Sequence, residues 1–173
     1  MSTLTWIRAW IVFYIVALAV SGLTAFPLEA EVSLGSSILH ATPLADWMPA
    51  LTQWIDHVRD GLVDTYAQYP WVAYGTDWLA FAHLVIAVAF IGAFRDPVRN
   101  VWVIQWGMIA CVAVIPLALI AGTIRGLPWG WMLIDISFGV FGIIPLIIIL
   151  RLTRRLEREQ VEEREESLAA TSA

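Results

Sequence analysis

Apolar residues fall in four long runs, at roughly 6–26, 77–94, 98–121 and 129–150. A bilayer core takes about 20 helical residues. Each run therefore predicts a membrane-spanning helix, the second being a little short. The strand-like alternation of a barrel is absent, and in lipid only helices or closed barrels satisfy the backbone. The first run has features of a signal peptide: Arg8, an apolar stretch, and the small residues Ser21 and Gly22. Its apolar stretch is longer than a signal core and no A-x-A site follows, so a retained helix is expected.

The segment from Pro27 to Thr76 is more mixed. Between residues 44 and 66, Leu44, Trp47, Met48, Leu51, Trp54, Ile55, Val58, Leu62 and Tyr66 recur at helical spacing. Asp46, Gln53, Asp56, His57, Asp60 and Asp64 fall mostly on the other side. The pattern predicts an amphipathic helix lying on the membrane or capping the bundle. Its acidic face disfavours anionic lipid, so contact with protein is expected, either a partner or a second copy of the chain. Residues 151–173, "RLTRRLEREQVEEREESLAATSA", read as a charged helical extension of the fourth run. Arg155–Glu159 and Arg158–Glu162 are opposite charges four apart. The last few residues are expected to be disordered. The fold class is thus all-α: a polytopic membrane protein with one four-helix domain over residues 1–150 and a tail.

Arginine placement gives the orientation. Arg95 and Arg99 lie between the second and third runs. Arg151, Arg154, Arg155 and Arg158 follow the fourth, and Arg8 lies near the N-terminus. The other side holds only Arg59 and Arg125. The positive-inside rule then places both termini in the cytoplasm, the 44–66 helix outside and the tail inside. In the turn "RDPVRN", Asp96 is expected to cap the third helix and Pro97 to occupy its first position.

Composition agrees. The chain of 173 residues is 60% apolar and 14% charged, against about a quarter charged in a soluble domain. Ten tryptophans suit membrane interfaces, where the ring is in apolar matter and its N–H reaches water. A net charge of −5, with no stripe among the arginines, gives no reason to expect nucleic acid. The lone Cys111 rules out an internal disulfide.

Polar groups inside the runs are costly and therefore candidates for function. On the second run, Asp77 and His83 stand about 120° apart on the helical wheel, with Ala80 and Ala87 on the arc between. Small residues allow close approach, so this arc is expected to face inward, leaving Trp78, Leu79, Val85 and Ile86 to lipid. On the fourth run, Asp135 shares a face with Gly139 and Gly142, which read as helix-packing notches. Arg125 lies in the connection "GTIRGLPWGW". Asp77, His83, Arg125 and Asp135, with Trp131 and Phe138 as apolar walls, are the candidate pocket. His40, His57 and His83 show no metal-ligand spacing, and no cofactor motif is present, so neither metal nor cofactor is expected.

The stretch from "YGTDWLAFAHLVIAVAF" through "ISFGVFGIIPL", together with "SGLTAFPLEAE", resembles an uncharacterised group of small bacterial four-helix membrane proteins. The resemblance covers most of the chain. It implies a bacterial inner-membrane location and brings no activity with it.

Two functional readings follow. In the first, the four polar groups are a staple that fixes helix register, and the protein is a non-enzymatic membrane component acting through partners or as a homo-oligomer. In the second, they line an outward-facing pocket for a small amphiphile such as a lipid or quinone. An enzyme acting on that amphiphile through His83 is a narrower form of the second.

Overall fold

A computed structural model describes residues 2–172, with side chains to residue 171. Among the described residues there are seven α-helices and no strand. They are α1 (Thr3–Ala25), α2 (Leu28–His40), α3 (Leu44–Trp47), α4 (Pro49–Gln68), α5 (Tyr74–Arg95), α6 (Val101–Ile124) and α7 (Trp129–Ser172), with a 3₁₀ turn at Pro70–Ala73 before α5. The chain divides into two compact units, Met1–Val16 with Ala87–Ala173, and Ala17–Ile86.

The first unit has a small core drawn from four helices. Ile7 and Ile11 of α1, Phe90 and Ala93 of α5, Ile104 of α6, and Leu146 and Ile149 of α7 are all fully buried. Tyr14 and Phe90 stack with ring centroids 4.8 Å apart. Arg8 covers the Phe94 ring, 5.4 Å from its centroid, and donates to the Phe94 carbonyl at 3.3 Å. Much of the apolar surface faces outward instead: Phe13, Leu117 and Phe141 are 58%, 62% and 68% exposed. A protein in water rarely leaves so much apolar surface unpartnered, whereas lipid is as apolar as these side chains.

Turn chemistry sets how α6 is entered and left. Asp96 accepts the Arg99 N–H at 3.0 Å, so it caps the turn and not the helix. Pro97 lies in that turn, four residues before α6. The shift has a cause in Asn100, whose amide donates to the carbonyls of Gly92 (3.1 Å) and Asp96 (2.9 Å) and ties the turn to the end of α5. At the other end, the Leu127 N–H bonds Gly122 O at 2.9 Å and the Gly126 N–H bonds Thr123 O at 3.2 Å. With Gly126 at φ 69°, this is a Schellman C-cap.

In the second unit, α2 and α4 pair. The single helix expected over 44–66 is broken at Met48 (φ −131°, ψ 58°). Pro49 causes the break, because a residue before proline is pushed out of the helical region. Helix α2 escaped the sequence reading. Its one buried position is the polar Ser36, while Leu34 and Ile38 are exposed. Along α5, Ala80 is buried while Trp78 and Leu79 are exposed, the division that the alanine arc predicts. The arc works because a Cβ at Gly22 of α1 would stand 2.9 Å from the Ala80 carbonyl and 3.0 Å from His83 Cβ. The tail is helical through Ser172, past the point where disorder was expected.

Candidate functional site

Four of the six candidate residues fall in two places. The first is a groove of about 310 Å³ on α6 and α7. Val114, Leu117, Ala118, Ala121 and Gly122 line it from α6, and Arg125 from the C-cap of that helix. Their spacing is i, i+3, i+4, i+7, i+8, i+11, one face of a helix about 16 Å long. Asp135 and Phe138 face them from α7, and Leu127 closes the end. Two small residues let the helices come this close. A Cβ at Gly139 would fall on the Cys111 carbonyl oxygen, and one at Gly142 would stand 3.2 Å from Cys111 Sγ. The Schellman turn then places Arg125 and Leu127 at the groove's end.

Arg125 and Asp135 share this groove without an ion pair within 4.0 Å between them. The guanidinium stands exposed at one end of an apolar channel, and the carboxylate lies about a turn and a half into α7. Phe138 is among the lining residues. Trp131 sits in the first turn of α7, its backbone N–H on the Pro128 carbonyl at 2.9 Å, and is outside the lining.

The second place is a cavity of about 340 Å³ lined by Asp77, Phe26, Tyr74, Trp78 and Phe81. His83 is half-buried and lines neither cavity. Its Nδ1 is 2.8 Å from the Leu79 carbonyl, one turn back. A carbonyl can only accept, so Nδ1 carries a proton and donates it.

A polar cluster missed in the sequence joins α2 to α4. Ser36 Oγ donates to Asp56 Oδ1 at 2.5 Å, and His40 Nε2 lies 2.8 Å from Asp56 Oδ2. Arg59 Nη1 donates to Ser36 Oγ at 2.7 Å and stands 3.4 Å from Asp56 Oδ1. The hydrogen bonds from Ser36 and then His40 hold the Asp56 carboxyl below the usual range. Asp56 lies on the acidic face of the 44–66 pattern, and α2 covers part of that face. The i, i+3 pair Asp56–Arg59 was a visible signal, but Ser36 and His40 were not connectable to it without α2.

Among the described residues, no group of three or more His, Cys, Asp or Glu could hold a metal ion. The groove and the aromatic cavity instead offer apolar walls with one or two charged groups each. That is the usual make-up of a site for a small organic molecule.

Thr3–Ala25, Pro70–Arg95, Val101–Ile124 and Trp129–Thr171 are each long and apolar enough to cross a membrane. The architecture is compatible with a multi-pass helical membrane protein. No family model, curated protein or solved structure matches the chain.

Proposed function

We propose that the chain is a multi-pass protein of a bacterial inner membrane that acts by binding, with an amphiphile held in the groove of α6 and α7. The observation that carries this reading is the groove's lining: an apolar helical face that ends in Arg125, which has no ion pair among the described residues, with Asp135 partway along. A guanidinium suits an anionic head group, and the stripe from Val114 to Ala121 suits a hydrocarbon tail. Asp135 would take a hydroxyl or amine below the head. Arginine distribution supports an orientation with both termini in the cytoplasm and α2–α4 outside. Arg125 then lies at the outer interface, where lipid head groups are found.

The test is purification in mild detergent, with bound lipids, quinones or pigments identified by mass spectrometry and absorbance. Arg125→Gln and Asp135→Asn should lose the amphiphile while keeping helix content, and His83→Ala should keep it. Retention in both groove variants would sink the proposal.

A second reading has its own support. Trp47, in the segment outside the four spans, is 77% exposed, which suits a protein partner or a second copy. For orientation, a cysteine placed near Asp60 should react with an impermeant reagent from outside intact cells. Labelling only after lysis would reverse the assignment.

A further inference from the structure

The aromatic cavity within Ala17–Ile86 differs chemically from the α6–α7 groove. Tyr74, Asp77, Trp78 and Phe81 follow i, i+3, i+4, i+7 spacing and so share one face of α5. Phe26 completes the lining. The rings are set edge to face: Tyr74 and Trp78 are 6.0 Å apart at 83°, Trp78 and Phe81 6.0 Å apart at 89°. Among the described residues, no cationic side chain lies within ion-pair distance of Asp77. The segment 27–77 that carries Asp77 is net acidic, with six further acidic side chains against the single Arg59.

These features select the ligand's charge. An anion would meet an uncompensated carboxylate in an acidic field. A neutral apolar molecule would desolvate Asp77 and give it no partner. A cation satisfies the carboxylate and gains from the ring faces as well. A volume of about 340 Å³ also lies within the range of small-molecule sites, about 300–1,000 Å³. The geometry points to a binding site for an organic ammonium group, with Asp77 as counter-charge and Tyr74 and Trp78 as cation–π partners. The ammonium could belong to a free amine or to a zwitterionic lipid head, and the chemistry of the pocket is the same for both.

The test uses the full chain. In a maltoside detergent, which has no head-group nitrogen, choline chloride is titrated calorimetrically against its uncharged carbon isostere (tert-butyl in place of trimethylammonium). Choline should bind saturably, and the isostere about tenfold more weakly or worse. Asp77→Asn should weaken choline by a similar factor, Asp77→Glu should restore part of it, and Trp78→Leu should cost several-fold. Trp102→Leu, a tryptophan outside this cavity, should change nothing. In nanodiscs that mix phosphatidylethanolamine, phosphatidylcholine and phosphatidylglycerol, native mass spectrometry separates the two sources. A head-group site retains the amine lipids over phosphatidylglycerol and loses them in Asp77→Asn. A free-amine site binds choline equally well in pure phosphatidylglycerol. Either result supports the site. Equal binding of choline and its isostere would overturn it, as would an Asp77→Asn chain, folded by circular dichroism, that behaves as wild type in both arms.

Discussion

Gly139 of α7 lies against the backbone carbonyl of Cys111 on α6, so closely that a Cβ there would fall on the oxygen. Gly142, one turn on, meets only the Cys111 thiol: a Cβ there would stand 3.2 Å from Sγ, so the thiol must give by a few tenths of an ångström. The two glycines therefore respond differently to the same change. Alanine improves helix propensity by about 1 kcal/mol at either site. At Gly142 a side chain can yield, so Gly142→Ala should be close to neutral. At Gly139 the obstacle is backbone, and the helices must separate at a cost of about 1–3 kcal/mol. Thermal unfolding in detergent should rank Gly139→Ala clearly below wild type and Gly142→Ala near it. The reverse order would mean that α6 and α7 do not cross here.

The Schellman turn gives a second case in which backbone alone decides. Gly126 has φ 69°, yet nothing lies within 4 Å of a Cβ placed there. The cost of Gly126→Ala is then purely conformational, about 1 kcal/mol. Gly126→Asn should cost less, since asparagine tolerates the left-handed region. An alanine variant as stable as wild type would show that the turn can adopt another form.

These glycines also show what could be read from sequence. Gly139 and Gly142 stand on one helical face with Asp135, and Ala80 marks the buried side of α5; the periodicity of small residues is a local property. The four apolar runs are local too, and each corresponds to a long helix. The segment 28–68 was harder. A stripe drawn from Leu44 to Tyr66 ignored Pro49, whose effect on Met48 is also local and was available. Helix α2 was harder to find, because its one buried position is the polar Ser36 and its side-chain bonds to α4 run through Ser36 and His40. The site followed the same rule. Phe138 could be placed beside Asp135 by i, i+3 spacing. The aromatic company of Asp77 could have been found from the 74, 78, 81 stripe, but Phe26 comes from a different helix end and needs the tertiary structure.

Thr153 of α7 is 1% exposed, and its hydroxyl has no hydrogen-bond partner among the described residues. A buried donor without a partner is a net cost, and replacing it by an apolar group of the same shape removes that cost. Thr153→Val should leave stability unchanged or raise it by up to about 1–2 kcal/mol. Thr153→Ser keeps the hydroxyl and deletes the packed methyl, so it should destabilise by about 1 kcal/mol. Unfolding of the two variants side by side is the measurement. A Thr153→Val chain less stable than Thr153→Ser would mean that the hydroxyl is satisfied, for example by a bound water.

The Asp56 cluster predicts an acid limb confined to α2 and α4. Hydrogen bonds from Ser36 and His40 lower the folded pKa of Asp56 from an ordinary value of 3.8. A carboxyl with a lowered folded pKa stabilises the fold at pH above its unfolded pKa. That contribution is lost as pH falls through the lower, folded value. Amide exchange in α2 and α4, corrected for the intrinsic rate at each pH, should therefore be constant from neutral pH down to about 4 as far as Asp56 is concerned. Below that, protection should decline. Asp56→Asn should begin less protected at neutral pH and lose the decline, so that the two proteins converge in acid. Ser36→Ala removes the largest cause of the shift and should shrink the limb without abolishing it. A decline of equal size in Asp56→Asn would assign the acid sensitivity to other carboxylates.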